Sequence, residues 1–235
     1  EIDTLVVPIG GGGLISGMAV AAKALRPELQ VIGVQAALYP SMYNTIRGES
    51  LPMRGDTLAE GIAVKAPGVI TAPIVGELVD DILLVSEAEI EHAVSLLINI
   101  EKTVVEGAGA VALAALANGR VDLEGKRVGL VLSGGNIDVN VIARVIERGL
   151  VKDGRLVRLR VHLRDRPGSL ARLTALLAAD RANVLHIEHD RAFSRAPVGD
   201  SEVEVTLETS GPDQIATIKR HLAGAGYSAE EVAPT

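Results

Sequence analysis

The stretch VVPIGGGGLISG, residues 6 to 17, decides the reading of this chain. It continues a β-branched run that starts at Thr4, passes through Gly10, Gly11, Gly12 and Gly13, and leads into Leu14 to Leu25, where apolar residues are too dense for an exposed loop. Strand, glycine loop, helix is the order this pattern predicts. Successive glycines remove every Cβ where backbone N–H groups can face a ligand, and the helix that follows adds the positive end of its dipole. A plain turn needs no such run, because each glycine costs roughly 0.5 to 1 kcal/mol of chain entropy. The loop is therefore expected to hold an anionic phosphate. A dinucleotide fits poorly: Gly10, Gly12 and Gly17 miss the Gly-x-Gly-x-x-Gly spacing, and the next strand ends Val34-Gln35-Ala36 with no acidic residue for a ribose. A P-loop fails because no Gly-Lys-Ser/Thr closes the turn.

Outward from the loop, Gln30 to Gln35, Ile82 to Val85 and Arg127 to Leu132 are strands apolar throughout, alternating with helices. Ser86 with Glu89 forms a capping box for a helix from Glu87 to about Glu101, Gly107 to Ala117 is a small-residue helix stopped by Asn118-Gly119, and another runs through Glu147. Apolar strands alternating with helices predict an α/β fold, a parallel sheet covered on both faces. After Gly149 the pattern changes, because Leu156 to Leu163 alternates apolar residues with Arg or His, and Glu202 to Thr206 alternates with Glu. Such strands have one wet face. With the turn Arg166-Pro167-Gly168, a helix from Ser169, strands 183 to 193 and 202 to 208, a helix from Pro212 and a strand near Tyr227 to Val232, the order is βαββαβ, a ferredoxin-like sandwich. The expected domains are 1–152 and 153–235.

Composition narrows the function. With 235 residues, 48% of them hydrophobic, the chain can bury a core. A net charge of -7 has the wrong sign for a phosphate backbone, and one Phe, three Tyr and no Trp leave little to stack on bases, so nucleic acid is not an expected partner. No apolar run reaches the roughly 18 to 20 residues of a membrane span, and a cytoplasmic location is expected. The absence of cysteine excludes disulfides, thiolate metal sites and a cysteine nucleophile. Glu1 in place of Met, with no signal-like segment after it, suggests a piece of a longer chain.

Candidate groups stand where strands end. Ser133 follows the last parallel strand and precedes Gly134-Gly135-Asn136, on the sheet edge where the glycine loop emerges, so it either faces a ligand or, like Asn136, caps the next helix. Glu106 before Gly107-Ala108-Gly109 either serves chemistry or answers the dipole of the helix it precedes. His186 and His189, three apart on a strand, face opposite sides and cannot share a metal ion. His92, His162 and His221 fall on polar faces.

VVPIGGGGLISG together with LAEGIAV (58–64), VVEGAGA (104–110) and VLSGGN (131–136) resembles the serine/threonine dehydratase family of pyridoxal-phosphate enzymes, fold type II, over residues 1 to about 150. DRPGSL (165–170), NVLHIEHDR (183–191) and VEVTLET (203–209) are similar to the ACT regulatory domain of that family. The resemblance implies that Gly10, Gly11, Gly12, Gly13 and Leu14 hold the phosphate of pyridoxal 5′-phosphate, that Gly61 lies beside its ring and that Ser133 bonds its pyridine nitrogen. A neutral hydroxyl there makes a weaker electron sink, suited to β-elimination. Glu106 would stand near the substrate. The implied reaction removes the Cα proton and β-hydroxyl of threonine to give 2-oxobutanoate and ammonia. The lysine that carries the cofactor lies upstream in the family, so these residues alone are expected to be inactive. Alternatives are an amino-acid-sensing protein without catalysis, or a serine dehydratase or racemase relative. Gln35, Tyr39 and Ser41 stand where the racemase branch has cation ligands, and the lost carboxylates imply no metal. For the ACT half, Asp165, Gly168, Ser169 and Asn183 would receive isoleucine or valine as effector, in a homo-oligomer.

Overall fold

β1 (Thr4–Pro8) lies between β2 (Gln30–Ala36) and β4 (Val128–Leu130), with β3 (Asp81–Val85) beyond β2, and every pairing is parallel. The structure is a computed structural model that describes residues 1–190, 197 and 199–233. Between the strands run α1 (Gly13–Leu25), α2 (Ser41–Arg47), a short 3-10 turn (Glu60–Ile62), α3 (Thr71–Leu78), α4 (Glu87–Leu96) and α5 (Gly107–Ala117), and α6 (Val139–Lys152) follows β4. Successive residues of the sheet enter different cores. Val6, Ile32 and Val34 pack with Ile90, Val94 and Val111 of α4 and α5, whereas Val7, Ile9 and Val31 pack with Ile15 and Ala19 of α1 and Val75 of α3. The strands are apolar on both sides because both sides are covered, each Val or Ile so buried contributing roughly 1.5 to 3 kcal/mol. Eight of the eleven residues of α5 are Gly or Ala, which lets its backbone approach its neighbours closely.

Local differences from the expected elements have local causes. Ser86 and Glu89 form the predicted capping box. The helix it starts, however, gives way after Leu96 to a wider π turn over Leu97–Glu101, closed by Lys102 in the left-handed region (φ 56°). β4 is three residues long instead of six, although Val131 still donates its N–H to Val6 O at 3.0 Å before the chain leaves the sheet. The short helices α2 and α3 carry too few apolar positions, and α3 also Pro73 and Gly76, to announce themselves by periodicity.

The second unit contains β5 (Leu156–Arg164), α7 (Ser169–Ala179), β6 (Asn183–Asp190), β7 (Asp200–Glu208), α8 (Pro212–Gly224) and β8 (Ser228–Glu231). Its sheet has the order β6-β7-β5-β8 and is antiparallel throughout, the arrangement a βαββαβ chain gives. Val157, Leu159, Val161 and Leu163 of β5 are buried with Leu173 and Leu177 of α7 and Ile218 and Leu222 of α8, while Arg158, Arg160 and His162 occupy the alternate positions. A bulge between Val184 and His186 of β6 turns Leu185 out and lets both Val184 and Ile187 reach the core. Residues 191–193, expected to extend this strand, lie outside the described residues. The chain divides into the units Glu1–Val145 and Ile146–Thr235. That division falls inside α6, a continuous helix that offers no loop or composition shift for sequence to mark.

Candidate functional site

The tetraglycine run makes a turn whose glycines serve two purposes. Gly12 has φ +91° and forms the N-cap of α1 with no side-chain cap. A Cβ there would strike Met42 and Thr71, and one on Gly10 would come within 3.1 Å of Ile62 Cα. Those two positions are bare because the protein packs against them. Gly11 and Gly13 have neither a positive φ nor any atom within 4 Å of where a Cβ would stand. Nothing in the protein demands glycine at 11 and 13, so the open space beside them is available to a ligand. Among the described residues the N–H groups of Gly11, Gly12, Gly13 and Leu14 have no protein acceptor. A helix start with four idle donors and cleared flanks fits a phosphate group.

The other expected residues converge on this turn. Gly10 packs on Ile62 of the 3-10 turn, and the preceding residue Gly61 faces Ala108 and the Glu106 carboxylate, 3.1 and 3.4 Å from where its Cβ would be. Thr57 Oγ1 and Leu58 N–H donate to the two carboxylate oxygens of Glu87 at 2.7 and 2.8 Å, fixing this segment on the start of α4. A Cβ on Gly107 would enter the Leu58 carbonyl, and one on Gly109 the carbonyl of Ser133. Gly134, at φ +85°, lies against the Glu106 carboxylate, and Glu106 N–H donates to Gly134 O at 3.3 Å. Gly10, Gly61, Glu106 and the Ser133-Gly134 loop thus form one chain of close contacts, with the Glu106 carboxylate at its centre.

Of the two helix-start readings left open by sequence, the one for Ser133 and Asn136 fails. Ser133 and Asn136 do not cap α6, which starts at Val139; Asp138 Oδ1 accepts from Asn140 N–H at 2.7 Å and takes that position. Glu106 stands at the N-cap of α5, but its side chain makes no capping bond and turns toward Gly61 and Gly134. Leu14 is exposed beside the turn. Gln35 is fully buried and spends its amide locally: Oε1 accepts from Tyr43 N–H at 2.9 Å and Nε2 donates to Tyr39 O at 3.3 Å. Ser41 is buried as well.

In the second unit Asp165, Gly168 and Ser169 line one hollow of about 460 Å³ with Leu163, Arg166, Pro167, Leu170 and His189. Gly168, at φ +88°, starts α7 without a side-chain cap. Asn183 is a correction. It opens β6 opposite Glu208, donating to that carboxylate at 3.0 Å, whereas Asp165 follows Arg164, which pairs with Asp200. Asp200 and Glu208 are the two ends of β7, so antiparallel pairing carries Asn183 to the end of the sheet away from the hollow. The residue that sequence missed is His189, with Nε2 3.1 Å from Ser201 Oγ. Only the strand register, which no local signal encodes, brings it beside the turn. His92 departs from its expected polar face too, since its Nδ1 is buried without a hydrogen-bond partner. Among the described residues no group of three or more His, Asp or Glu is placed to hold a metal ion, and no helix is long and apolar enough to cross a membrane.

Comparison with known proteins draws the two units into one pattern. Residues 1–134 match the family described as pyridoxal-phosphate dependent enzyme, and residues 157–223 match the ACT domain. Over 97% of its length the chain is 50% identical to an L-threonine ammonia-lyase of Geobacter sulfurreducens and 46% identical to one of Thermotoga maritima. It spans 57% of the length of each. Among solved structures it is similar to a T.th. threonine deaminase, with 37% identity and a TM-score of 0.54 over 59% of this chain and 46% of that one. Maize serine racemase gives 32% identity and a TM-score of 0.55 over 64% and 48%.

Proposed function

The chain belongs to the family of pyridoxal-phosphate dependent enzymes, and from that membership we propose that it is the phosphate-gripping and regulatory portion of a threonine ammonia-lyase. The observation that carries the reading is the helix start at Gly12, where four N–H groups without a protein acceptor lie beside the open space at Gly11 and Gly13. When bound there, pyridoxal 5′-phosphate supplies an electron-withdrawing ring that acidifies the Cα–H bond of an amino acid. The N–H groups of Gly11, Gly12, Gly13 and Leu14 bind its phosphate, Gly10 lets the loop close on Ile62, and Gly61 keeps its own position free of a side chain. Ser133 Oγ holds the ring nitrogen through a neutral hydroxyl, which favours β-elimination. The Glu106 carboxylate, which makes no capping hydrogen bond, stands over Gly61 and Gly134 where a substrate hydroxyl would leave.

In this reading the 235 residues alone do not turn threonine over, because the cofactor-bearing lysine is not among the matched motifs. The buried Gln35 amide, satisfied by Tyr39 and Tyr43, weighs against a cation-assisted racemase. In the ACT domain the hollow beside Gly168 takes the carboxylate of isoleucine or valine at the start of α7, with copies of the chain paired and the protein in the cytoplasm. Two measurements test this. Calorimetry should show the chain binding pyridoxal 5′-phosphate in preference to pyridoxal, and release of 2-oxobutanoate from threonine should require the chain joined to a lysine-bearing segment. An equal response to pyridoxal, or turnover by the 235 residues alone, would overturn it. Isoleucine and valine titrations, with light scattering for assembly state, test the ACT half in the same way.

A further inference from the structure

We propose that Thr71 is a positioning residue for phosphate capture, an inference that rests on the reading of the glycine turn given above. Thr71 lies 60 residues from Gly11 in sequence, yet its Oγ1–H donates to Gly11 O at 2.5 Å. Gly68 N–H donates to the same carbonyl at 3.1 Å. Two donors on the α3 side thus hold one carbonyl of the turn. The peptide bond between Gly11 and Gly12 is trans, so the Gly11 carbonyl and the Gly12 N–H point in opposite directions from one plane. Holding the oxygen toward Thr71 therefore turns the Gly12 N–H away from it, to the side where the N–H groups of Gly13 and Leu14 also lack protein acceptors.

The glycines around the hydroxyl reflect how closely it is built in. A Cβ on Gly12 or on Gly68 would lie 2.7 Å from Thr71 Oγ1. These two positions are bare so that the hydroxyl can reach the carbonyl, whereas Gly11 and Gly13 are bare toward open space. The cost of that construction is a peptide flanked by glycine on both sides, free to rotate to the opposite orientation. Rotated, it would present a carbonyl oxygen to an incoming phosphate instead of an N–H. Thr71 and Gly68 select the attractive orientation before a ligand arrives. Ser16 Oγ, donating to Thr71 O at 3.4 Å, ties α3 back to α1 on the same side.

The test compares wild type, Thr71→Val, Thr71→Ser and Gly68→Ala in calorimetric titrations with pyridoxal 5′-phosphate, with the 31P resonance of the bound ligand as a second readout. Thr71→Val should bind about tenfold more weakly, the size of one hydrogen bond, with its phosphorus resonance displaced from the wild-type position. Thr71→Ser should stay within about twofold of wild type, because it keeps the hydroxyl. Gly68→Ala, which crowds Thr71 Oγ1 without removing it, should weaken binding in the same direction and carries the test should Thr71→Val fold poorly. A Thr71→Val chain that binds as wild type does, or a Thr71→Ser chain as weak as Thr71→Val, would overturn the assignment and leave the proposed function standing. A wild-type chain that leaves pyridoxal 5′-phosphate unbound would overturn both.

Discussion

In the first unit Val6 and Val7 are both inaccessible to water, whereas in the second Val161 is inaccessible and its neighbours Arg160 and His162 are not. The parallel sheet consumes its side chains in two cores, so whatever chemistry it offers must come from the loops at its edge, and largely from backbone. Glycine is the means: Gly10, Gly12, Gly107, Gly109 and Gly134 allow the approaches that bring four loops together. The antiparallel sheet keeps one face for side chains, and there Arg160 and Glu204 pair at 2.6 Å while His162 and Glu202 stand 3.5 Å apart. Gly109 of the first unit is a packing element, whereas Gly168 of the second unit is a turn element.

Substituting one glycine from each unit is the strongest way to break this distinction. A Cβ on Gly109 would enter the Ser133 carbonyl, and backbone on both sides leaves little room to yield. Gly109→Ala should cost about 3 kcal/mol, at the upper end of overpacking effects. Gly168 has φ +88° but nothing within 4 Å of a Cβ, so Gly168→Ala should cost only about 1 kcal/mol, the strain of a left-handed residue. Urea unfolding of both variants gives the comparison. Equal losses would mean that the loops of the first unit are held by something other than close backbone contact.

How far sequence could go follows the same division. The glycine loop, the apolar strands and the βαββαβ order were legible because each is a local pattern: a run of one residue type, a period, a switch of period. Ser133 and Glu106 stand out by their places beside glycines at a strand end and a helix start, and Gly61 by resemblance alone, but no spacing could show that Glu106 turns toward Gly134. Ser133 as cap was plausible until Asp138 was seen to take the position. Asn183 went wrong because adjacency in an antiparallel sheet depends on which end of β7 each strand meets. Thr71 left no trace at all, since a bond spanning 60 residues has no sequence period. What sequence misses here is register and long-range backbone contact, the two things that side-chain patterns do not carry.

A smaller effect sharpens the contrast through pH. Burial pushes the Glu89 carboxyl up, but hydrogen bonds from Arg120 and from Ser86 outweigh it and hold the group at about 2, below the ordinary 4.5. A carboxylate lowered in this way stabilises the fold above pH 4.5, and the contribution fades as the pH falls from 4.5 toward 2. Glu89→Gln should cost about 1 kcal/mol near neutrality, as the loss of a capping bond does, and should flatten the acid side of the stability curve in that window. Urea midpoints between pH 2 and 7 measure it. An unchanged acid limb would place the acid sensitivity elsewhere, the wet face of the second sheet included.

That wet face yields the smallest effect and an asymmetric one. Register places Glu188 opposite Glu204, Glu204 opposite Arg160, and Arg160 opposite Glu230, so one guanidinium stands in a row with three carboxylates across the sheet. Removing Glu204 removes a partner of Arg160 but also a like-charged neighbour of Glu188, and the two consequences oppose each other. Removing Arg160 leaves three carboxylates in a row with no cation between them. Arg160→Gln should therefore lower the unfolding midpoint more than Glu204→Gln, although both side chains belong to the same ion pair. Because the row is exposed, the gap between the two variants should narrow as salt rises toward about 1 M, where screening reaches within a few ångströms. Equal shifts at low salt would mean that the bond between Arg160 and Glu204 acts as an isolated pair. A gap that survives high salt would mean that the Arg160 stem matters through packing, and the second sheet would then resemble the first more than its alternating strands suggest.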